Sequence, residues 1–118
     1  MSIRNALASM PVRDLHAALP WYEKLFGRPA DSTPMPEVAE WKFDGGGWLQ
    51  VYQLRERAGH GSVTLAVSDL EAQIADLRTS GIDAGAPMNS PKAKVVMIKD
   101  PDGNSIAFSQ VLDDSMAH

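Results

Sequence analysis

Val12-Arg13-Asp14-Leu15-His16-Ala17 and Val67-Ser68-Asp69-Leu70-Glu71-Ala72 carry the same pattern 55 residues apart, just under half of a 118-residue chain. Repeats are best sought before any other signal, because they fix the architecture at once. The flanks support this one. Each copy follows a strand-like stretch, Leu7 to Val12 and Ser62 to Val67. In the second, Val63, Leu65 and Val67 alternate with small or polar residues, the period of a half-buried strand. Each copy then opens a helix with an aspartate, Asp14 or Asp69, whose carboxylate suits the N-cap position. Leu15, Leu19, Tyr22 and Leu25 form one apolar stripe, and Leu70, Ile74 and Leu77 form the other. Gly27 and Gly81 follow the stripes as expected of C′ residues. Pro20 inside the first pattern should kink or delay that helix.

Three further β-like segments follow in each half. In the first they lie near Met35, from Val38 to Phe43, and from Trp48 to Leu54; in the second, from Ala84 to Met88, Lys94 to Ile98, and Ser105 to Val111. Asp44-Gly45-Gly46-Gly47 and Asp100-Pro101-Asp102-Gly103-Asn104 join the last two segments of each half, and such sequences favour hairpin turns. The chain is therefore expected to be α+β: two βαβββ modules, about 5–54 and 61–112, forming cup-shaped mixed sheets with the helices outside. The polar connection Gln53 to Gly61 is too short for a linker between separate domains, so residues 1–118 read as one domain.

Composition narrows the function. A formal charge of −4 argues against a nucleic-acid or anionic-membrane surface, since both need a basic face. No apolar run approaches the roughly 20 residues of a membrane helix, and the N-terminus lacks the pattern of a secretory leader. With no cysteine there is neither a disulfide framework nor a thiolate centre, and the expected location is cytoplasmic. Gly45-Gly46-Gly47 lies between two strands with no helix N-terminus behind it, so it is a turn and not a phosphate loop.

Three stretches resemble the vicinal oxygen chelate superfamily, the glyoxalases, bleomycin-resistance proteins and extradiol dioxygenases. They are Val12-Arg13-Asp14-Leu15 with Trp21-Tyr22-Glu23-Lys24-Leu25-Phe26-Gly27, then Val67-Ser68-Asp69-Leu70 to Gly81-Ile82, and finally Asp100-Pro101-Asp102-Gly103-Asn104-Ser105-Ile106. The resemblance implies a metal site with one ligand at the start of each module's first strand and one on its last strand. Carried onto this chain, those positions hold Leu7, Gln50, Ser62 and Ala107. Leucine and alanine cannot ligate, and serine and glutamine are poor ligands for metals that prefer imidazole and carboxylate. His60, two residues before Ser62, would share its strand face but would be a lone imidazole; it reads as an exposed loop residue. The expectation is no metal, no other cofactor and no catalytic residue.

If those four positions face the cup, alternation brings Ser9, Trp48, Tyr52 and Thr64 to the same side. The pocket expected for a small-molecule ligand comprises Leu7, Ser9, Trp41, Trp48, Gln50, Tyr52, Ser62, Thr64 and Ala107. It suits a flat, partly polar compound, although the three aromatics would equally fill an apolar interior or a dimer seam. The preferred reading is a metal-independent binding protein that sequesters an antibiotic or toxic aromatic compound. Two readings stay open beside it: a superfamily enzyme using unexpected ligands or Tyr52 and Gln50, and an interaction module with no small ligand. The short Gln53–Gly61 connection resembles those of the family's swapped dimers, which implies a homodimer with Leu7 and Gln50 of one chain facing Ser62 and Ala107 of the other.

Overall fold

The structure is a computed structural model that describes residues 2–112. Its order is β1 (Leu7–Val12), α1 (Leu15–Phe26), β2 (Ser32–Met35), β3 (Val38–Lys42), β4 (Trp48–Gln53), then β5 (Ser62–Ala66), α2 (Leu70–Thr79), β6 (Met88–Asn89), β7 (Ala93–Lys99) and β8 (Ser105–Val111). A 3₁₀ turn, Arg55–Arg57, lies in the connection between the halves. The two halves form two four-stranded sheets of matching order, β1-β4-β3-β2 and β5-β8-β7-β6. In each, the first and last strands pair in parallel and the remaining neighbours are antiparallel. The fold is α+β, as the repeat requires.

The helix ends follow the sequence closely. Asp14 Oδ1 accepts from Ala17 N and Asp69 Oδ1 from Ala72 N, the N-cap bonds expected of both aspartates. Each helix also draws on the final strand of its own half: Leu15 N donates to Gln53 Oε1 and Leu70 N to Gln110 Oε1. Gly27, at φ 73°, ends α1 in the left-handed region. Pro20 does not delay α1, which begins at Leu15 and runs through to Phe26. That proline lies on the exposed side, while Leu15, Ala18, Tyr22 and Leu25 anchor the other face in the core. A further departure is β6, which is only two residues long and begins at Met88 rather than Ala84. Gly85 and Pro87 oppose a longer strand, the proline because it has no N–H to donate.

The core lies between each sheet and its helix. Met10, Val12, Ala39, Trp41, Leu49 and Val51 are fully buried on the α1 side of the first sheet; Val96, Ile98, Ile106 and Phe108 are buried in the second half. Trp41 packs in an aromatic cluster with Tyr22 and Phe26, its ring centroid 5.2 Å from that of Phe26.

The halves are joined by a buried polar clamp at the turn before β8. Asn104 Nδ2 donates to Pro11 O and to Asp100 Oδ2, both at 2.7 Å, while Asn104 Oδ1 accepts from Gly61 N at 2.7 Å. Tyr22 Oη donates to Asp100 Oδ2 at 2.6 Å, and Arg13 N donates to Asp102 Oδ2 at 3.1 Å. Burial first, then the hydrogen bond to Asp100 and the charges of Asp100 and Asp102, push the Tyr22 phenol well above the ordinary tyrosine range. The hydroxyl therefore remains a donor at every physiological pH. At the same place β1 and β5 come close: a Cβ on Gly61 would stand 2.7 Å from Pro11 Cδ, so only glycine fits.

Candidate functional site

Strand register decides which side chains share the face opposite the core. On the first sheet Leu7, Ser9 and Pro11 of β1 pair with Trp48, Gln50 and Tyr52 of β4. The same β4 residues pair on their other side with Lys42, Glu40 and Val38 of β3. Trp48, Gln50, Tyr52 and Glu40 are half-buried, whereas Leu7 is 48% exposed. Three of these side chains form a hydrogen-bonded row across the strands: Ser9 Oγ donates to Gln50 Oε1 at 3.2 Å, and Gln50 Nε2 donates to Glu40 Oε2 at 2.7 Å. Beside the row, Lys42 Nζ stands 5.9 Å from the centre of the Trp48 ring, within cation–π range.

The corresponding face of the second sheet is built from smaller residues. Ser62, Thr64 and Ala66 of β5 pair with Ser105, Ala107 and Ser109 of β8, which pair in turn with Lys99, Met97 and Val95. Met97 is 46% exposed and Ala107 is nearly covered. One face thus offers indole, phenol, amide, carboxylate, a hydroxyl and one ammonium; the other offers hydroxyls, a thioether and one ammonium.

The four positions that correspond to metal ligands fit no metal. Leu7 and Ala107 have no donor atom, and both ends of the Gln50 amide are engaged by Ser9 and Glu40. Among the described residues, no group of three or more His, Asp or Glu side chains is placed to hold an ion. His16 on α1 and His60 before β5 are exposed; His118 lies outside the described residues.

One residue of the expected pocket is corrected. Trp41 pairs with Leu49, not with Trp48, and so it points to the helix side, where it is fully buried and donates Nε1–H to Arg28 O. It fills the core. Glu40, its neighbour in sequence, takes the open face instead and was not foreseen.

A cavity of about 1160 Å³ lies where β1 and β5 diverge. The end of α1, the turn Asp44–Gly47, and the α2 residues Gln73, Asp76 and Thr79 border it. From the expected set it takes Leu7, Trp48 and Thr64, and it leaves Ser9, Gln50, Tyr52, Ser62 and Ala107 outside its lining.

No curated protein sequence matches the chain. Solved structures do. A glyoxalase/bleomycin resistance protein from Catenulispora acidiphila is 34% identical with a TM-score of 0.84, covering 92% of this chain and 99% of that one. An antibiotic binding protein from a Streptomyces species is 25% identical with a TM-score of 0.77, covering 94% and 98% respectively. The bleomycin resistance determinant encoded on the transposon Tn5 shares the fold, with a TM-score of 0.76 over 92% of this chain and 98% of that one at 19% identity. The sequence pattern of one superfamily spans residues 5–108, both repeats and both hairpin turns included. The chain belongs to the Glyoxalase/Bleomycin resistance protein/Dioxygenase superfamily.

Proposed function

We propose that the protein is a metal-independent binder of flat, partly polar small molecules, of the kind that sequesters an antibiotic or toxic aromatic compound. The observation that carries this reading is the open face of the first sheet, where half-exposed Trp48 and Tyr52 flank the Ser9–Gln50–Glu40 row. Aromatic rings supply stacking area at low entropic cost, and fixed polar groups beside them orient a ligand. The antibiotic binding protein from Streptomyces supports the same reading by its likeness in fold and sequence. Binding takes place in the cytoplasm, in keeping with a chain that uses no disulfide.

The proposed assembly is a homodimer in which the first sheet of one chain faces the second sheet of its partner. Leu7 and Gln50 would then share a pocket with the partner's copies of residues 62 and 107. Each sheet supports this with an inner edge that is unpaired among the described residues: there β1 pairs with β4 alone and β5 with β8 alone. Exposed strand edges are commonly closed by pairing or packing. Light scattering at micromolar concentration should report twice the chain mass, and a clean monomer overturns the assembly.

Thermal unfolding in the presence of aromatic and glycopeptide antibiotics tests the binding itself. A ligand at 100 times its Kd should stabilise the fold by about 2.7 kcal/mol. No rise in Tm with any compound class overturns the reading.

A further inference from the structure

We propose that Glu40 makes the site selective for planar compounds carrying a positive charge or a cationic N–H donor; this rests on the binding function above and names its ligand class. The carboxylate is half-buried on the open face, and only one of its oxygens is engaged: Gln50 Nε2 donates to Oε2 at 2.7 Å. Among the described residues nothing donates to Oε1. Gln50 is itself fixed by Ser9 Oγ, so Glu40 is held in one orientation from behind, with its free oxygen left for a ligand. Among the described residues no base forms an ion pair with it. Arg28–Asp31 is the ion pair found among the described residues, and Lys42, two residues along the same strand face, does not reach Glu40. A carboxylate with a free oxygen and no counter-charge in contact offers a cation a charge-assisted hydrogen bond, which is stronger than a neutral one.

A second observation points to the same chemistry. Lys42 places its ammonium over the Trp48 ring, so the indole beside Glu40 already receives a positive charge on its π face. A planar cation entering there would stack on Trp48 in place of the lysine and donate to Glu40 Oε1. The open face of the second sheet carries Lys99 and no carboxylate, so the charge preference comes from the first sheet alone.

Three acridines of the same shape and different charge test the proposal in the full-length protein by fluorescence titration: 9-aminoacridine, a cation at pH 7.5; neutral acridine; and anionic acridine-9-carboxylate. The cation should bind about fivefold more tightly than acridine, the upper end for a charge pair at a partly exposed site, and the preference should shrink with added salt. Glu40→Gln should remove the preference. Lys42→Gln, which relieves the competing ammonium, should enlarge it, so the proposal does not depend on one variant folding. Equal binding of all three acridines by the unaltered protein overturns the charge selection and leaves the binding function standing. A preference that survives Glu40→Gln overturns the role of this residue. Binding of none of the three overturns the charge selection together with the stacking on which it rests.

Discussion

On one side of the junction between the halves, the turn Asp100–Asn104 sits against α1. Its buried carboxylate and amide hold Tyr22, Pro11 O and Gly61 N. On the other side the matching turn, Asp44–Gly47, and the matching helix, α2, border the cavity of about 1160 Å³. The repeat explains the difference. It maps Tyr22 onto Leu77, which has no hydroxyl to donate. Strand pairing makes Trp48 and Ser105 equivalent, so Gly45-Gly46-Gly47 stand before β4 where Asp102-Gly103-Asn104 stand before β8. The same module therefore closes one seam with a polar clamp and leaves its counterpart open. The clamp ties β1 to the turn before β8, and the open seam leaves apolar strand residues such as Val63 and Leu65 partly uncovered.

Breaking the clamp is the most severe test of that comparison. Asn104→Ala removes three hydrogen bonds from a fully buried site and strands Gly61 N, Pro11 O and part of Asp100. It should cost about 3 kcal/mol or more in urea unfolding, since unpaired buried polar groups cost roughly 1–3 kcal/mol each. The open turn should be indifferent. At Gly45 and Gly47 an added Cβ meets nothing within 4 Å, so alanine at either should change stability by less than about 0.5 kcal/mol. Similar losses at both turns would erase the distinction.

Gly59→Ala probes the clamp from the connecting segment. Its φ is +89°, and an added Cβ would stand 2.5 Å from Asp102 O. A cost of about 1–3 kcal/mol is expected from the strained backbone and the displaced turn. An unchanged urea midpoint would mean that the connection does not press on the clamp.

Tyr22→Phe removes one bond and keeps the ring, with an expected cost of about 1–2 kcal/mol. Its pH signature is more specific. The phenol is held protonated in the fold, so its contribution is complete below the ordinary tyrosine value of 10.0 and is lost as pH rises above it. The gap between wild type and Tyr22→Phe should therefore narrow in unfolding curves taken above about pH 10. A gap that stays constant through that range would show the phenol to be unlinked to stability.

The fold was legible because its signals are local and doubled: two capping aspartates, two apolar stripes, two terminal glycines and two hairpin turns. The site was legible only in part. Leu7, Ser9, Trp48, Gln50 and Tyr52 share a face because strand alternation is intrinsic to β1 and β4. Trp41 was misplaced because its side depends on how Phe43–Gly47 turns the chain, and a one-residue change in register exchanges the two faces of β3. A run of three glycines accepts several turns, so composition leaves that register open. The same register brought Glu40 to the open face. The clamp was equally hidden: Asp100–Asn104 reads as a hairpin turn, and its hold on β1 spans 93 residues of sequence.

The smallest expected effect lies on the rim of the open seam. Arg28 donates to Asp31 Oδ2, which also accepts from Lys42 N, and the pair is exposed. The hydrogen bond from Arg28 is the main cause that holds the Asp31 carboxyl below its ordinary value of 3.8, followed by that from Lys42. A depressed carboxylate stabilises the fold above its unfolded value, and the contribution fades as pH falls through the acid range. Asp31→Asn should therefore lower Tm at pH 7 by less than Tyr22→Phe does, because exposed pairs are screened by water and salt. The difference from wild type should begin to shrink near pH 3.8 and go on shrinking as pH falls further. The two linked groups then mark the seams by opposite ends of the pH scale, the closed one losing support in alkali and the open one in acid. An Asp31→Asn effect as large as that of Tyr22→Phe would mean that the open seam is held by its rim as firmly as the closed one by its clamp.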